Sequence, residues 1–183
     1  MKPALFLDRD GTLIKDHGYI NNIRHVEFYD FTFEVLRELQ KEFLLFIITN
    51  QAGVGKGLIT MQEMENVNEY VLDQLQKNGI EIRKLYVCPH KKEDLCECRK
   101  PKPYFIDLAC QEYDIDLSRS YVIGDHPSDI ELGIQRGVKG IYLLTGHGRK
   151  HYQEMETIQT SHYQVYRSLR YFVKAISVNS LNS

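Results

Sequence analysis

Five short apolar runs punctuate this chain: 4–7 (ALFL), 44–49 (LLFIIT), 85–88 (LYVC), 121–124 (YVIG) and 141–144 (IYLL). Each is brief and rich in Leu, Ile, Val or Phe, the pattern of a strand buried on both faces. The stretches between them carry helical spacing. Met64, Val67, Val71 and Leu75 recur at steps of three, four and four, which places them on one helical stripe. Val35, Leu36 and Leu39 do the same earlier, and Ile130 with Ile134 later. Strand and helix in alternation predict an α/β fold, a mostly parallel sheet with helices on both faces. The residues named so far are read as core. In such sheets ligands bind beyond the carboxyl ends of the strands, so the segment after each run is where chemistry is expected.

Those segments are polar in a particular way. Asp8-Arg9-Asp10-Gly11-Thr12 follows the first run, Thr49-Asn50-Gln51-Ala52-Gly53 the second, a cysteine-rich stretch ending in Arg99-Lys100 the third, and Gly124-Asp125-His126-Pro127-Ser128-Asp129 the fourth. Together they supply two carboxylate pairs, a hydroxyl with amides, and two cations. That set suits phosphoryl transfer. A hard cation such as Mg²⁺ takes carboxylate and phosphate oxygens. An aspartate can attack phosphorus, a second acid can move protons, and fixed cations offset the charge on the transferring group. DRDG alone could be a solvated acidic loop. It is not an EF-hand start, because Gly11 is fourth in the loop rather than sixth and Tyr19 stands at the twelfth position, where a Glu is needed.

Composition narrows the class of protein. The chain has 183 residues, 43% hydrophobic and 26% charged, with a net charge of −2, as expected of one globular domain spanning 1–183. Interspersed charge argues against a nucleic-acid binder. No apolar run approaches the ~20 residues that cross a bilayer, and MKPALFLDRDG is too briefly apolar for a secretory signal. We therefore expect a cytoplasmic protein without membrane association. In a reducing compartment, clustered cysteines suggest metal before disulfide. In CPHKKEDLCECRKPKP, residues 88–103, Cys88, His90, Cys96 and Cys98 offer three thiolates and an imidazole. Zn²⁺ takes four such ligands in structural sites, whereas catalytic zinc keeps a position open. We expect a structural Zn²⁺ that ties the 88–98 loop and aims Arg99 and Lys100, with a loop of free thiols as the plainer reading. Cys110 is expected to be a buried small apolar residue, and His147 and His151 to lie on a solvated basic loop. The segment after 150 reads as an irregular stretch and then an amphipathic helix that closes the sheet.

In order and spacing, DRDGT, Thr49, Lys100 and GDxxxD resemble the haloacid dehalogenase (HAD) superfamily of phosphatases, whose fold is a doubly wound, Rossmann-type parallel sheet. The resemblance implies Asp8 as nucleophile, Asp10 as general acid/base, and Thr49 and Lys100 as phosphate holders. It also implies Mg²⁺ on the Asp8 carboxylate, the Asp10 carbonyl and Asp125, with Asp129 in support. Asp16-His17-Gly18-Tyr19, TNQ at 49–51 and CPH…CxCRKP narrow it to the D-glycero-D-manno-heptose 1,7-bisphosphate 7-phosphatases. That resemblance runs from residue 4 to about 145 and implies substrate contacts at Asp16, His17, Gly18, Tyr19, Asn50, Gln51, Ala52, Arg99 and His126. It departs from the pattern at Ala52, where a Ser is expected, and at His126, where a Lys is expected.

Neighbouring readings remain. CPH and CxCRKPK with only five residues between His90 and Cys96 also resemble the histidinol-phosphatase domain. Another small phosphate ester, a polynucleotide 3′-phosphate, or non-catalytic sugar-phosphate binding on a zinc scaffold are further alternatives. DHGY favours the heptose reading, the balanced charge disfavours a polynucleotide, and the intact acids and Lys100 disfavour a non-catalytic protein. The 39 positions from Asp10 to Thr49 and the 51 from Thr49 to Lys100 leave no room for a folded cap domain. A capless monomer is expected, its pocket shaped by loops on a rigid sheet.

Overall fold

The computed structural model describes residues 1–158 and 162–180, with side chains through 176. Six strands form one parallel sheet: β1 (Ala4–Leu7), β2 (Leu44–Asn50), β3 (Ile82–Cys88), β4 (Tyr121–Gly124), β5 (Lys139–Leu143) and β6 (Tyr163–Tyr166). Their order is β3-β2-β1-β4-β5-β6, the doubly wound order whose switch point lies between the first and fourth strands. The helices are α1 (Thr32–Leu39), α2 (Ala52–Gly55), α3 (Met61–Lys77), α4 (Tyr104–Glu112), α5 (Pro127–Ile134), α6 (Tyr152–Met155) and α7 (Leu169–Ser180).

Alternation along the strands divides the core. Leu5, Leu7, Leu45 and Ile47 face one side and pack with Leu36 of α1, Val67, Val71 and Leu75 of α3, and Phe172 of α7. Ala4, Phe6, Phe46 and Ile48 face the other, against Phe105, Ile106 and Ala109 of α4. The α3 stripe is the one its spacing predicts. Its first turn is closed by a reciprocal cap: Thr60 Oγ1 accepts from the Glu63 N–H, and the Glu63 carboxylate from the Thr60 N–H.

Two expectations change. The irregular stretch after 150 contains a strand, β6, parallel to β5 with Tyr142 opposite Val165; residues 159–161 of that stretch lie outside the described ones. Its YQVY run is β-favouring but short, and nothing local separates it from a loop. Cys110 is exposed rather than buried, because it falls about 100° past Ala109 and off the buried α4 stripe. The segments joining Asp10 to Thr49 and Thr49 to Lys100 hold α1, short 3₁₀ turns, α2, α3, β2 and β3. No described helix is long and apolar enough to cross a membrane.

Candidate active site

The carboxyl ends of β1 and β4 carry the acids. Asp8 stays in register, its N–H donating to the Ile123 carbonyl at 2.9 Å, so its carboxylate emerges at the rim of the sheet. The chain then turns back sharply: the Gly11 N–H donates to the Ile14 carbonyl at 2.8 Å. Gly11 has φ +79°, and a Cβ there would lie 2.0 Å from Asp125 Oδ2. Gly146, with φ +49°, would place one 2.1 Å from the same atom. The Asp125 carboxylate is thus seated between two backbone segments that only glycine allows to approach this closely. Its Oδ2 accepts the His147 N–H at 2.6 Å.

Lys100 links the acids. Its Nζ reaches Asp8 Oδ1 at 2.7 Å, Asp129 Oδ1 at 2.6 Å and the Ile48 carbonyl at 2.8 Å. Burial opposes the ammonium charge, but Asp129 and Asp8 outweigh it and hold Lys100 above its usual range. Asp129 is engaged at both oxygens, since Oδ2 also accepts the His126 N–H at 3.1 Å in the first turn of α5. Burial pushes the Asp8 carboxyl up to about 7, with Lys100 opposing and Asp129 and Asp10 adding. Burial likewise pushes Asp125 up to about 9, helped by Asp8 and Asp129. The carboxylates of Asp8, Asp125 and Asp129 lie within 4.8 Å of one another. This hard-oxygen donor set fits a divalent cation that would relieve the crowding.

These groups open onto a cleft of about 170 Å³. Asp10, Asp16, Thr49, Asn50, Arg99 and His126 also line it, as do Ser128 and His147. Asn50 fixes the chain at Lys100, its Oδ1 accepting the Lys100 N–H at 3.1 Å. Gln51 lies behind the cleft, 7% exposed, and donates from Nε2 to Asp10 Oδ2 at 2.9 Å and to Thr49 Oγ1 at 2.8 Å. Ala52 starts α2. Gly18, with φ +83°, donates its N–H to Asp16 Oδ1 at 2.7 Å. His17 is turned to Glu27, at 3.4 Å. Tyr19 is exposed, with its hydroxyl on Lys56 Nζ at 2.9 Å. Burial holds the His126 imidazole below its usual range.

His147 sits on the exposed loop expected of it, yet it also reaches the site. It lines the cleft and faces Asp16 Oδ2 at 3.5 Å, and the His151 ring lies tilted beside that of His126, 4.8 Å between centroids. A fifth strand end therefore joins the four read from the sequence. The signal was available, because TGHG follows the run IYLL as polar residues follow the others. Arg9, absent from the sequence reading of the site, is 1% exposed and forks onto Asp10.

The second cluster is Cys88, His90, Cys96 and Cys98, whose ligand atoms also lie within 4.8 Å of one another. Cys88 Sγ is 3.6 Å from Cys96 Sγ, which is 3.6 Å from Cys98 Sγ, and His90 Nδ1 is 3.3 Å from Cys98 Sγ. These separations are far from a disulfide and near the ~3.8 Å edge of a tetrahedron with Zn–S bonds of ~2.3 Å. The loop packs tightly on its neighbour: the Gln51 N–H donates to the Cys88 carbonyl at 2.7 Å and the Gly55 N–H to the Pro89 carbonyl at 2.8 Å. Arg99 Nη1 donates to the His90 carbonyl at 3.2 Å.

A doubly wound sheet with an aspartate pair after β1, a buried lysine and a second acid pair after β4 defines a HAD-like phosphatase, and a family model described as HAD-hydrolase-like matches residues 97–171. The chain is 41% identical, over 144 residues, to a D-glycero-beta-D-manno-heptose-1,7-bisphosphate 7-phosphatase of Helicobacter pylori, covering 78% of this chain and 83% of the relative. It is 39% identical over 142 residues to the D-glycero-alpha-D-manno-heptose-1,7-bisphosphate 7-phosphatase of Campylobacter jejuni, covering 77% and 81% of the two chains. A crystal structure of a D,D-heptose 1,7-bisphosphate phosphatase from B. bronchiseptica, complexed with magnesium and phosphate, superposes with a TM-score of 0.86 at 25% identity, over 98% of this chain and 99% of that one. The chain belongs to the D-glycero-D-manno-heptose-1,7-bisphosphate 7-phosphatase family.

Proposed function

We propose that the protein removes the 7-phosphate of D-glycero-D-manno-heptose 1,7-bisphosphate, with Asp8 as nucleophile and Asp10 as general acid and base. The observation that carries the chemistry is the convergence of Asp8, Asp125 and the buried Lys100 ammonium in one cleft. The substrate follows from the relatives' activity. Asp8 and Asp125 would hold Mg²⁺ together with the Asp10 carbonyl, while Asp129, occupied by Lys100 and the His126 N–H, supports. Bound there, the cation would offset charge on the phosphate and keep Asp8 ionised.

Lys100 Nζ and Thr49 Oγ1 bind phosphate oxygens. Asp8 attacks phosphorus, forming an aspartyl phosphate, as the P–O bond to the sugar breaks and Asp10 gives its proton to the sugar oxygen. Asp10 then takes a proton from water, which attacks the same phosphorus and frees Asp8. Arg99, His126 and His147 line the same cleft and supply donors for the sugar and its second phosphate, while Asp16 and Asn50 meet hydroxyls. His17, Gly18, Tyr19 and Ala52 lie outside that lining and act at its rim. Gln51 acts through its bonds to Asp10 and Thr49. Cys88, His90, Cys96 and Cys98 would hold a structural Zn²⁺ with no open position.

The test is phosphate release with Mg²⁺ from both anomers of heptose 1,7-bisphosphate, from histidinol phosphate and from a 3′-phosphorylated oligonucleotide. Preferred turnover of one or both heptose anomers is expected. Good turnover of histidinol phosphate with poor turnover of both heptoses would sink the reading.

A further inference from the structure

Arg9 stands between the two aspartates of the first strand end, yet it is 1% exposed and is among the largest fully buried side chains. Its guanidinium faces inward. Nε donates to Asp10 Oδ2 at 3.0 Å, and Nη2 lies across both oxygens, 3.0 Å from Oδ1 and 2.8 Å from Oδ2. Nη1 donates to Asn68 Oδ1 at 2.5 Å. Asn68 belongs to the buried stripe of α3 at 6% exposure, and its own Nδ2 lies 2.9 Å from Met64 Sδ. A planar guanidinium held at three nitrogens cannot rotate about its axis, so its fork fixes the plane of the carboxylate it faces.

A carboxylate offers about four acceptor sites, two on each oxygen. On Asp10, Oδ2 is filled by Arg9 Nε and by Gln51 Nε2 at 2.9 Å. Oδ1 has one donor, Arg9 Nη2. One site, on Oδ1, is left for a proton that travels to or from the cleft. We propose that Arg9, backed by Asn68, is a positioning residue that turns Asp10 so that its proton is delivered and withdrawn through Oδ1. The inference rests on Asp10 being the acid and base of the proposed reaction. A helix 59 residues away thereby sets the direction of proton transfer.

Leaving-group dependence tests this. A sugar alkoxide needs a proton as it departs, whereas p-nitrophenolate leaves without one. The kcat/KM value reports steps up to that departure. In Asn68→Ala, and in Asn68→Leu, which fills the volume but removes the acceptor, kcat/KM on heptose 1,7-bisphosphate should fall about tenfold or more. On p-nitrophenyl phosphate it should stay within about threefold of the parent protein. Asn68→Asp, which keeps an acceptor in place, should recover most of the ester activity. Equal falls on both substrates in whichever of the Ala and Leu variants folds overturn the proposal. A parent protein inactive on both substrates would instead remove the phosphatase reading, and this inference with it.

Discussion

Lys100 is 6% exposed and makes three contacts at its Nζ, two of them to carboxylates. A buried charge of this kind is tolerated because its partners are fixed, and removing one partner is costly. Asp8→Asn nonetheless keeps an oxygen near Lys100 while removing the carboxylate proposed as nucleophile. Phosphate release should fall to background in fresh protein checked for deamidation, with zinc content unchanged by metal analysis. Near-normal turnover would remove Asp8 as nucleophile. The polar residues at the first four strand ends were readable because apolar runs place them at one edge. Arg9 was not. A cation flanked by two acids reads as solvated, and its burial depends on Asn68, far away in the chain. Gln51 was expected to meet substrate on the family resemblance, and the sequence does not give the direction of its side chain, which bonds Asp10 and Thr49.

At the scale of elements, the cysteine loop matters for what rests on it. Gln51 and Gly55 donate their N–H groups to its backbone, Arg99 donates back to the His90 carbonyl, and Lys100 follows directly. A Cβ on Gly55 would come within 2.6 Å of Lys91 N, so α2 and the loop meet backbone to backbone. Cys98→Ser should lower bound zinc and the melting temperature. It should also lower kcat/KM about 100-fold, the scale of a 1 Å displacement of a positioning group. Unchanged zinc stoichiometry by metal analysis would argue against Cys98 as a ligand. Five of the six strands were legible because they are apolar runs on a buried sheet. β6 was not: its YQVY run is only partly buried, and its alternation spans only four residues.

For the whole molecule, crowding of acids at the switch point sets a pH dependence. Asp8 and Asp125 have carboxyls raised above 3.8, to about 7 and about 9. Without metal, the folded state keeps protons that the unfolded state has released above pH 3.8. Stability should therefore fall as pH rises through those folded values. A divalent cation needs the ionised carboxylates and offsets their repulsion. The rise in melting temperature on adding Mg²⁺ should be larger at pH 8 than at pH 5, measured by thermal unfolding. Equal shifts at both pH values would count against a cation on these acids.

The placement of this cleft also bears on how the protein comes into being. Asp8 and Thr49 leave the ribosome early, and the sheet centred on β1 can begin to pair with β2 at once. Lys100, Asp125 and the His147 amide arrive later, and Gly11 receives the Thr145 hydroxyl across 134 residues at 2.6 Å. A nascent chain limited to its first half therefore holds Asp8 but not the later groups that seat it. Phosphate release should therefore appear only after the second half has docked, later than the pairing of β1 with β2, which makes activity a late reporter of folding.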